Sequence, residues 1–475
     1  MKVLIIGAGP AGLTAGLELR RRMPKVQVTI LEADSQVGGI SKTINHNGNH
    51  MDLGGHRFFT KVPEIEELWE EIMGEDFLIR ERNSHIFYNK KFFDYPVTLN
   101  KQTLMNMGFL NSLKAGFGYL GSLIHKLPET SLENFYVNKF GRPLYSMFFE
   151  GYTEKLWGRH PTEISAEWGA QRVKGVSIKT VLKNALQKSL GLKSKETETS
   201  LIEEFKYPKY GPGQMWDTFA GCFKTLGGTL KLNHEVVKID RPKRKVIAKT
   251  PDGEVEFDYD ILISSMPIRD LCTALGDIPE HLSDIAQGLP YRDFVTLGVL
   301  VDKLNYETKD NWIYVQDPGV KMGRIQIFNN WSPEMVASDG VWLGLEYFCA
   351  EGDDFWNLSE DQLLNFAKDE LIKIGIISKE TEIKDYHREE VKKAYPAYFD
   401  TYSELDKLIK YLDDNAIICI GRNGQHRYNN MDHSMLTAIR AVDFIQGKCK
   451  REDIWNVNTE KEYHEENKIN EKKRD

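Results

Sequence analysis

The opening segment Val3-Leu4-Ile5-Ile6-Gly7-Ala8-Gly9-Pro10-Ala11-Gly12 constrains the fold of this chain more than any other stretch. A continuous apolar run of this kind is buried on both faces of a parallel sheet, and here it runs straight into glycines. Leu13, Gly16, Leu17 and Leu19 then continue with helical spacing. Gly7 permits the tight turn, Gly9 lets the backbone approach a pyrophosphate, and Gly12 lets strand and helix pack closely, with the helix N-terminus facing the anion. A second apolar run, Val26 to Leu31, ends in Glu32, where a carboxylate accepts hydrogen bonds from a ribose. Strand, glycine loop, helix, strand and acid in this order predict a Rossmann-type domain that binds a dinucleotide. The glycine loop alone does not say which dinucleotide.

A length of 475 residues predicts two or three domains. The composition, 41% hydrophobic and 28% charged, is that of an ordinary globular protein. A formal charge of -8 provides no basic footprint, which argues against a nucleic-acid partner. Cys222, Cys272, Cys349, Cys419 and Cys449 lie far apart without a CxxC pair, so neither a disulfide framework nor a metal site is expected. The start lacks the pattern of a signal peptide, which points to the cytoplasm. Met105 to Leu127 is the most apolar long stretch, but Asn111, Lys114, His125 and Lys126 interrupt it. It reads as one or two amphipathic helices rather than an integral membrane segment, with peripheral membrane contact as the minor alternative.

Further along, Arg80 to Val97 reads as a hairpin around Asn89-Lys90-Lys91, and Asn100 to Phe205 as mostly helical, with a polar loop from Lys193 to Ser200. Gly211-Pro212-Gly213 precedes a helix from Gln214 to Leu226 and strands at Thr229 to Leu232 and Glu235 to Ile239. Tyr259 to Ser265 is another apolar strand. Phe294 to Val301, Ile325 to Phe328 and Val341 to Tyr347 predict a mainly antiparallel sheet. Ala416 to Ile420 is a last buried strand, a helix runs from about Asp432 to Ile445, and the charged residues after Gly447 are expected to be mobile.

Gly38-Gly39, soon after Glu32, resembles the glycine pair of the amine oxidase and glutathione-reductase-like flavoproteins, which implies FAD as the dinucleotide. More specifically, several segments resemble the flavin-dependent UDP-galactopyranose mutase family. They are Leu53-Gly54-Gly55-His56-Arg57-Phe58-Phe59, Gly151-Tyr152-Thr153-Glu154-Lys155-Leu156-Trp157-Gly158, and Gly421-Arg422-Asn423-Gly424-Gln425-His426-Arg427-Tyr428-Asn429-Asn430-Met431. Phe59 and Leu156 depart from that family's pattern, which carries a second histidine and a glutamine there.

The resemblance implies a fold class and a set of roles. The fold is α/β, with a glutathione-reductase-like, Rossmann-type FAD-binding domain (1-79, 208-275 and 412-447), an inserted helical substrate domain (98-207), a mainly antiparallel sheet domain (80-97 and 276-411) and a charged tail (448-475). Gly7, Gly9, Gly12, Glu32, Gly38, Gly39, Gly55, Val237, Gly421, Arg422 and Met431 are implied in FAD binding. Arg172 and Arg324 are implied as clamps on a diphosphate, with His56 beside the flavin as the third catalytic residue. Phe148, Tyr152, Trp157, Tyr395 and Tyr428 are implied in binding a nucleotide-sugar substrate, with Tyr398 competing for the place of Tyr395. The activity implied is interconversion of pyranose and furanose rings through reduced FAD. The alternative is an FAD-dependent oxidoreductase of the amine oxidase or protoporphyrinogen oxidase type, and a homo-oligomer is left open.

Overall fold

A computed structural model describes residues 1–95, 97, 100–166, 200–201, 204–458 and 466–467. Arg172 and most of the loop expected over 193–200 lie outside the described residues. The first strand, Lys2–Ile6, is the middle of a five-stranded parallel sheet in the order Thr229–Lys231, Gln27–Leu31, Lys2–Ile6, Ile261–Ser264, Ile417–Cys419. Successive side chains of a strand point to opposite faces. Val3 and Ile5 join a core with the helices Pro10–Arg22, Pro212–Thr225 and Met431–Ile445, and Leu4 and Ile6 join another with Ile268–Leu275, Glu280–Gln287 and Leu405–Asp414. Helices thus cover both faces, which is why the strand has no polar alternation. Each such side chain contributes about 1.5–3 kcal/mol by leaving water.

The larger sheet has seven strands, in the order Ile383–Pro396, Tyr291–Val301, Val341–Cys349, Arg324–Ile327, Trp312–Val315, Ser84–Tyr88, Lys91–Asp94. Its last two strands form the expected hairpin, with Asn89 (φ 50) and Lys90 (φ 59) in the left-handed turn that joins twisted strands tightly. One face packs on the helix Glu360–Lys373. The opposite face meets the helical segment made of Phe109–Ile124, Leu132–Phe140, Arg142–Tyr145 and Gly151–Trp157. Among the described residues no helix is long and apolar enough to cross a membrane.

Several expectations need correction. The strand expected at Glu235 to Ile239 is present as Glu235–Asp240, but it stands outside the parallel sheet and opens a separate antiparallel sheet with Lys245–Thr250 and Gly253–Asp258. Glu204–Pro208 is a strand rather than the end of a helical run, because it pairs with Phe77–Glu81. The long edge strand Ile383–Pro396 was not anticipated; most of its residues, the charged ones included, are half-buried or exposed at the sheet edge, so it lacks a clean apolar alternation. The segment after Gly447 is not simply mobile. Ile454, Trp455 and Val457 are buried, Arg451 bonds Asp413 at 2.6 Å, and Gln425 donates to the Ile454 carbonyl at 2.8 Å.

Gly12 shows how tightly the first helix sits. A Cβ there would lie 1.8 Å from the Gly7 carbonyl oxygen, whereas one at Gly116 would meet nothing within 4 Å. Gly12→Ala is therefore expected to destabilise the protein by about 1–3 kcal/mol through overpacking, and Gly116→Ala to stabilise it by up to about 1 kcal/mol through reduced chain entropy. Parallel thermal unfolding of the two variants checks the contrast; equal shifts in melting temperature would refute the packing argument.

Candidate active site

The chain's parallel sheet and its larger sheet enclose one cavity of about 1110 Å³, bounded at one end by the first glycine loop. Gly7 takes a left-handed turn (φ 95), and Pro10 starts the helix with its fixed φ where no backbone donor is needed. Gly9 faces Gly39 across the loop, and a Cβ on Gly9 would reach the Gly39 Cα at 3.8 Å. Gly38 (φ 105) donates its N–H to the Ala8 carbonyl at 2.9 Å, which ties the glycine pair to the loop. The Glu32 carboxylate accepts from the Ala8 N–H at 2.6 Å and the Asp34 N–H at 2.9 Å. Burial raises its pKa, and these N–H groups oppose the shift.

Of the residues assigned to the dinucleotide, Gly7, Gly9, Glu32, Gly39, Gly55, Val237, Gly421, Arg422 and Met431 line the cavity. Gly12 and Gly38 do not; they hold the loop from behind. Val237 reaches the cavity because the strand pairing shifts register between Val236 and Lys238, and this bulge re-aims its side chain. Gly421 (φ 76) lies so near the first helix that a Cβ would come within 2.8 Å of the Ala11 Cβ.

The other end of the cavity is built on the seven-stranded sheet. Tyr314, Arg324 and Glu346 are directly opposite one another on three adjacent antiparallel strands, so their side chains share one face. Arg324 makes a two-pronged ion pair with Glu346, Nε to Oε1 at 2.8 Å and Nη2 to Oε2 at 2.6 Å, and Gln326 donates to the same Oε1 at 2.9 Å. Burial disfavours the Arg324 cation, but the Glu346 carboxylate together with Tyr395 and Tyr314 more than offsets this, and the pKa of Arg324 lies above the ordinary value. The outer edge of the guanidinium points at Gly54 and Gly55, whose added Cβ atoms would lie 3.5 and 3.6 Å from Nη2 and Nη1.

Aromatic rings surround these charges. Tyr395 and Tyr428 stack with centroids 5.8 Å apart, and the Arg422 guanidinium lies 4.1 Å from the Tyr428 ring and 5.1 Å from that of Tyr395. Tyr398 also lines the cavity, but its hydroxyl accepts from the Tyr428 N–H at 2.7 Å, so it is Tyr395 that faces the arginines. Phe148 lies on a π-turn, Ser146–Glu150, that leads into the helix Gly151–Trp157, and both Phe148 and Tyr152 line the cavity. Lys155 anchors that helix by donating to the Val315 carbonyl at 2.9 Å, and burial lowers its pKa to about 8. Trp157 departs from its assignment: it is buried behind the wall, with its ring 6.4 Å from Tyr395 and 6.0 Å from Phe399. The two departures from the family pattern, Phe59 and Leu156, both line the cavity.

Sequence reasoning missed Glu346 and Tyr314. A lone acid inside the otherwise apolar Val341–Cys349 was the available signal for Glu346, since a buried charge calls for a partner. Removing it tests the pair: Glu346→Ala leaves a buried guanidinium uncompensated and is expected to cost about 3–5 kcal/mol, read by chemical denaturation. A loss under about 1 kcal/mol, typical of exposed pairs, would refute the buried geometry.

His56 sits between these groups, and burial, with the nearby Arg324 and Arg422 cations, lowers its pKa to about 3. It is neutral near pH 7 in the folded protein. Below its ordinary value of 6.5 the unfolded chain binds a proton that the folded chain refuses, so stability falls as pH drops from 6.5 towards 3. His56→Gln is expected to lose stability less steeply than the parent over that window, by up to roughly 1.4 kcal/mol per pH unit. Melting curves of both proteins between about pH 7 and pH 5 measure the difference; parallel curves would contradict it.

Buried polar atoms without a partner among the described residues mark where a cofactor fits: Arg422 Nε and Nη2 and His56 Nδ1 belong to residues that line the cavity. Comparison with known proteins names that cofactor. The model of the family described as flavin containing amine oxidoreductase matches residues 10–443. Protoporphyrinogen oxidase 2, chloroplastic/mitochondrial, of Arabidopsis thaliana is 20% identical over 500 residues, covering 94% of this chain and 93% of the relative. The chloroplastic/chromoplastic zeta-carotene desaturase of Solanum lycopersicum is 33% identical over 91 residues, 19% of this chain and 15% of the desaturase. Among solved structures, reduced UDP-galactopyranose mutase superposes with a TM-score of 0.83 at 21% identity, covering 96% of this chain and 99% of the mutase. With an α/β fold, a glycine-lined dinucleotide cradle and a match over most of its length, the chain belongs to the flavin containing amine oxidoreductase family and its cofactor is FAD.

Proposed function

We propose that this chain is a nucleotide-sugar mutase that interconverts pyranose and furanose rings. The reading rests on one arrangement: Arg324, Arg422 and the phenols of Tyr152, Tyr314, Tyr395 and Tyr428 line the same cavity as the dinucleotide loop. A diphosphate ester that must stay bound while its bond to a sugar breaks needs fixed cations and hydroxyl donors, and this set supplies both. When bound, reduced FAD supplies a nucleophilic centre, and the ring form changes without net oxidation or reduction.

The chain's residues bind and orient. Glu346 occupies one edge of the Arg324 fork, leaving the other edge to hold the departing diphosphate close enough to recombine. Arg172 is the second clamp in this reading. Burial raises the pKa values of Tyr152 and Tyr395, which keeps both phenols protonated as donors at pH 7. Phe148 and Tyr152 hold the base, Tyr428 reaches the diphosphate, and the neutral His56 shields the flavin side.

A second reading, net oxidation of an apolar substrate, is favoured by the cavity's other lining residues Tyr136, Phe140, Leu144 and Phe149. An anaerobic assay separates the two. Dithionite-reduced protein given UDP-galactopyranose or other nucleotide sugars is expected to form the furanose by chromatography, and Arg324→Lys, which keeps the buried charge, to lower turnover about a hundredfold. Absence of any furanose, with consumption of an amine, a porphyrinogen or a carotene by the oxidised protein, would sink the mutase reading.

A further inference from the structure

The helix Phe109–Ile124 is built inside out. Its buried stripe is Ala115, Tyr119 and Ser122, and Gly118 beside them is pressed on Pro143, where an added Cβ would lie 2.4 Å from the ring Cδ. The bulky residues point away from the protein: Phe109 is 76% exposed, Leu110 71%, Phe117 71% and Ile124 86%, with Leu113 and Leu120 also exposed. At about 100° per residue, these six fall within an arc of about 100° opposite the buried stripe. The preceding helix Lys101–Met107 adds Leu104 and Met105, at 45% and 62% exposure. A helix that serves only its own fold shows the reverse polarity, and a contiguous apolar face of this size marks an interaction surface.

Charge says what covers it. No acidic residue lies between Asp94 and Glu129, although the whole chain carries a net charge of -8. The same stretch holds Lys101, Lys114, His125 and Lys126, all exposed, and on an ideal helix Lys114 falls at the rim of the apolar arc. An apolar face whose own stretch carries lysines and no carboxylate fits a layer of apolar chains under anionic headgroups. The 16 residues of the helix span about 24 Å, short of the roughly 30 Å hydrocarbon core, so it lies in the interface rather than crossing it.

We propose that the helices Lys101–Met107 and Phe109–Ile124 dock this protein on the surface of an anionic phospholipid bilayer. Phe109–Ile124 packs on Leu132–Phe140 and Arg142–Tyr145, which give Tyr136, Phe140 and Leu144 to the cavity wall. Docking therefore sets the apolar wall of the cavity one helix layer from lipid, whatever the reaction.

Flotation of the full-length, FAD-loaded protein with vesicles of phosphatidylcholine, with and without phosphatidylglycerol, tests this. The protein is expected to float with the phosphatidylglycerol vesicles and less so in high salt. Phe117→Glu is expected to lower binding at least about tenfold. Lys114→Glu is expected to weaken binding to the anionic vesicles alone. Leu110→Glu repeats the apolar test at a second position, and unchanged flavin absorbance and melting temperature establish that each variant is folded. Failure of the parent protein to float with either vesicle, or flotation of folded Phe117→Glu and Leu110→Glu like the parent, overturns the proposal. So does a dimer in light scattering that Phe117→Glu splits into monomers, because a second copy would then cover the face.

Discussion

The close seat of the helix Pro10–Arg22 on the strand Lys2–Ile6 is the contact on which the rest of the site depends. Because Gly12 presses on the Gly7 carbonyl, the helix N-terminus is fixed against the end of the sheet, and its partly positive end is aimed before any anion arrives. Other segments are then hung on the same few residues. Glu32 holds the Ala8 N–H, Gly38 holds the Ala8 carbonyl, and Gly421 lies against Ala11. A cradle tied down in this way is ordered without its ligand, so little binding energy goes into ordering it.

At the far end of the cavity the organising element is strand register rather than loop chemistry. Arg324 meets Glu346 and Tyr314 because three antiparallel strands place them in one row. A slip of one residue would turn the guanidinium into the apolar layer under the helix Glu360–Lys373 and bring Ile325 to the cavity. The pair also sets the local charge. Glu346 neutralises Arg324, whereas Arg422 has no carboxylate partner among the described residues and contacts two phenol rings and the Asn429 carbonyl. The Arg422 cation also helps to keep His56 neutral.

What could be read from the sequence was what local pattern encodes. Val3 to Ile6, the glycines and Glu32 are contiguous or nearly so, and their roles follow from turn geometry and burial. The hairpin at Asn89 and Lys90 was legible for the same reason. What escaped depended on distant partners: Glu204–Pro208 is a strand only because Phe77–Glu81 runs beside it, and Ile383–Pro396 only because Tyr291–Val301 does. The site divides in the same way. Tyr395, Tyr428 and Arg422 were found through motifs, whereas Glu346 and Tyr314 required the sheet register, and Trp157 was carried by its motif to a role its buried position does not support. The inverted helix Phe109–Ile124 was recognisable as amphipathic, but which side faced the protein was not, since small residues pack as well as large ones where backbones approach closely.

The strand order of the nucleotide sheet has a consequence for how the protein is made. Its members come from residues 2–6, 27–31, 229–231, 261–264 and 417–419, so the sheet that carries the first glycine loop is closed by a strand near the other end of the sequence. On the ribosome, the loop at Gly7 emerges long before Ile417–Cys419 and Gly421, which it needs before its surroundings are complete. The flavin's surroundings are thus complete only once that strand has been made, and a nascent chain stalled before it would expose the open edge of Ile261–Ser264 to any other unpaired strand nearby.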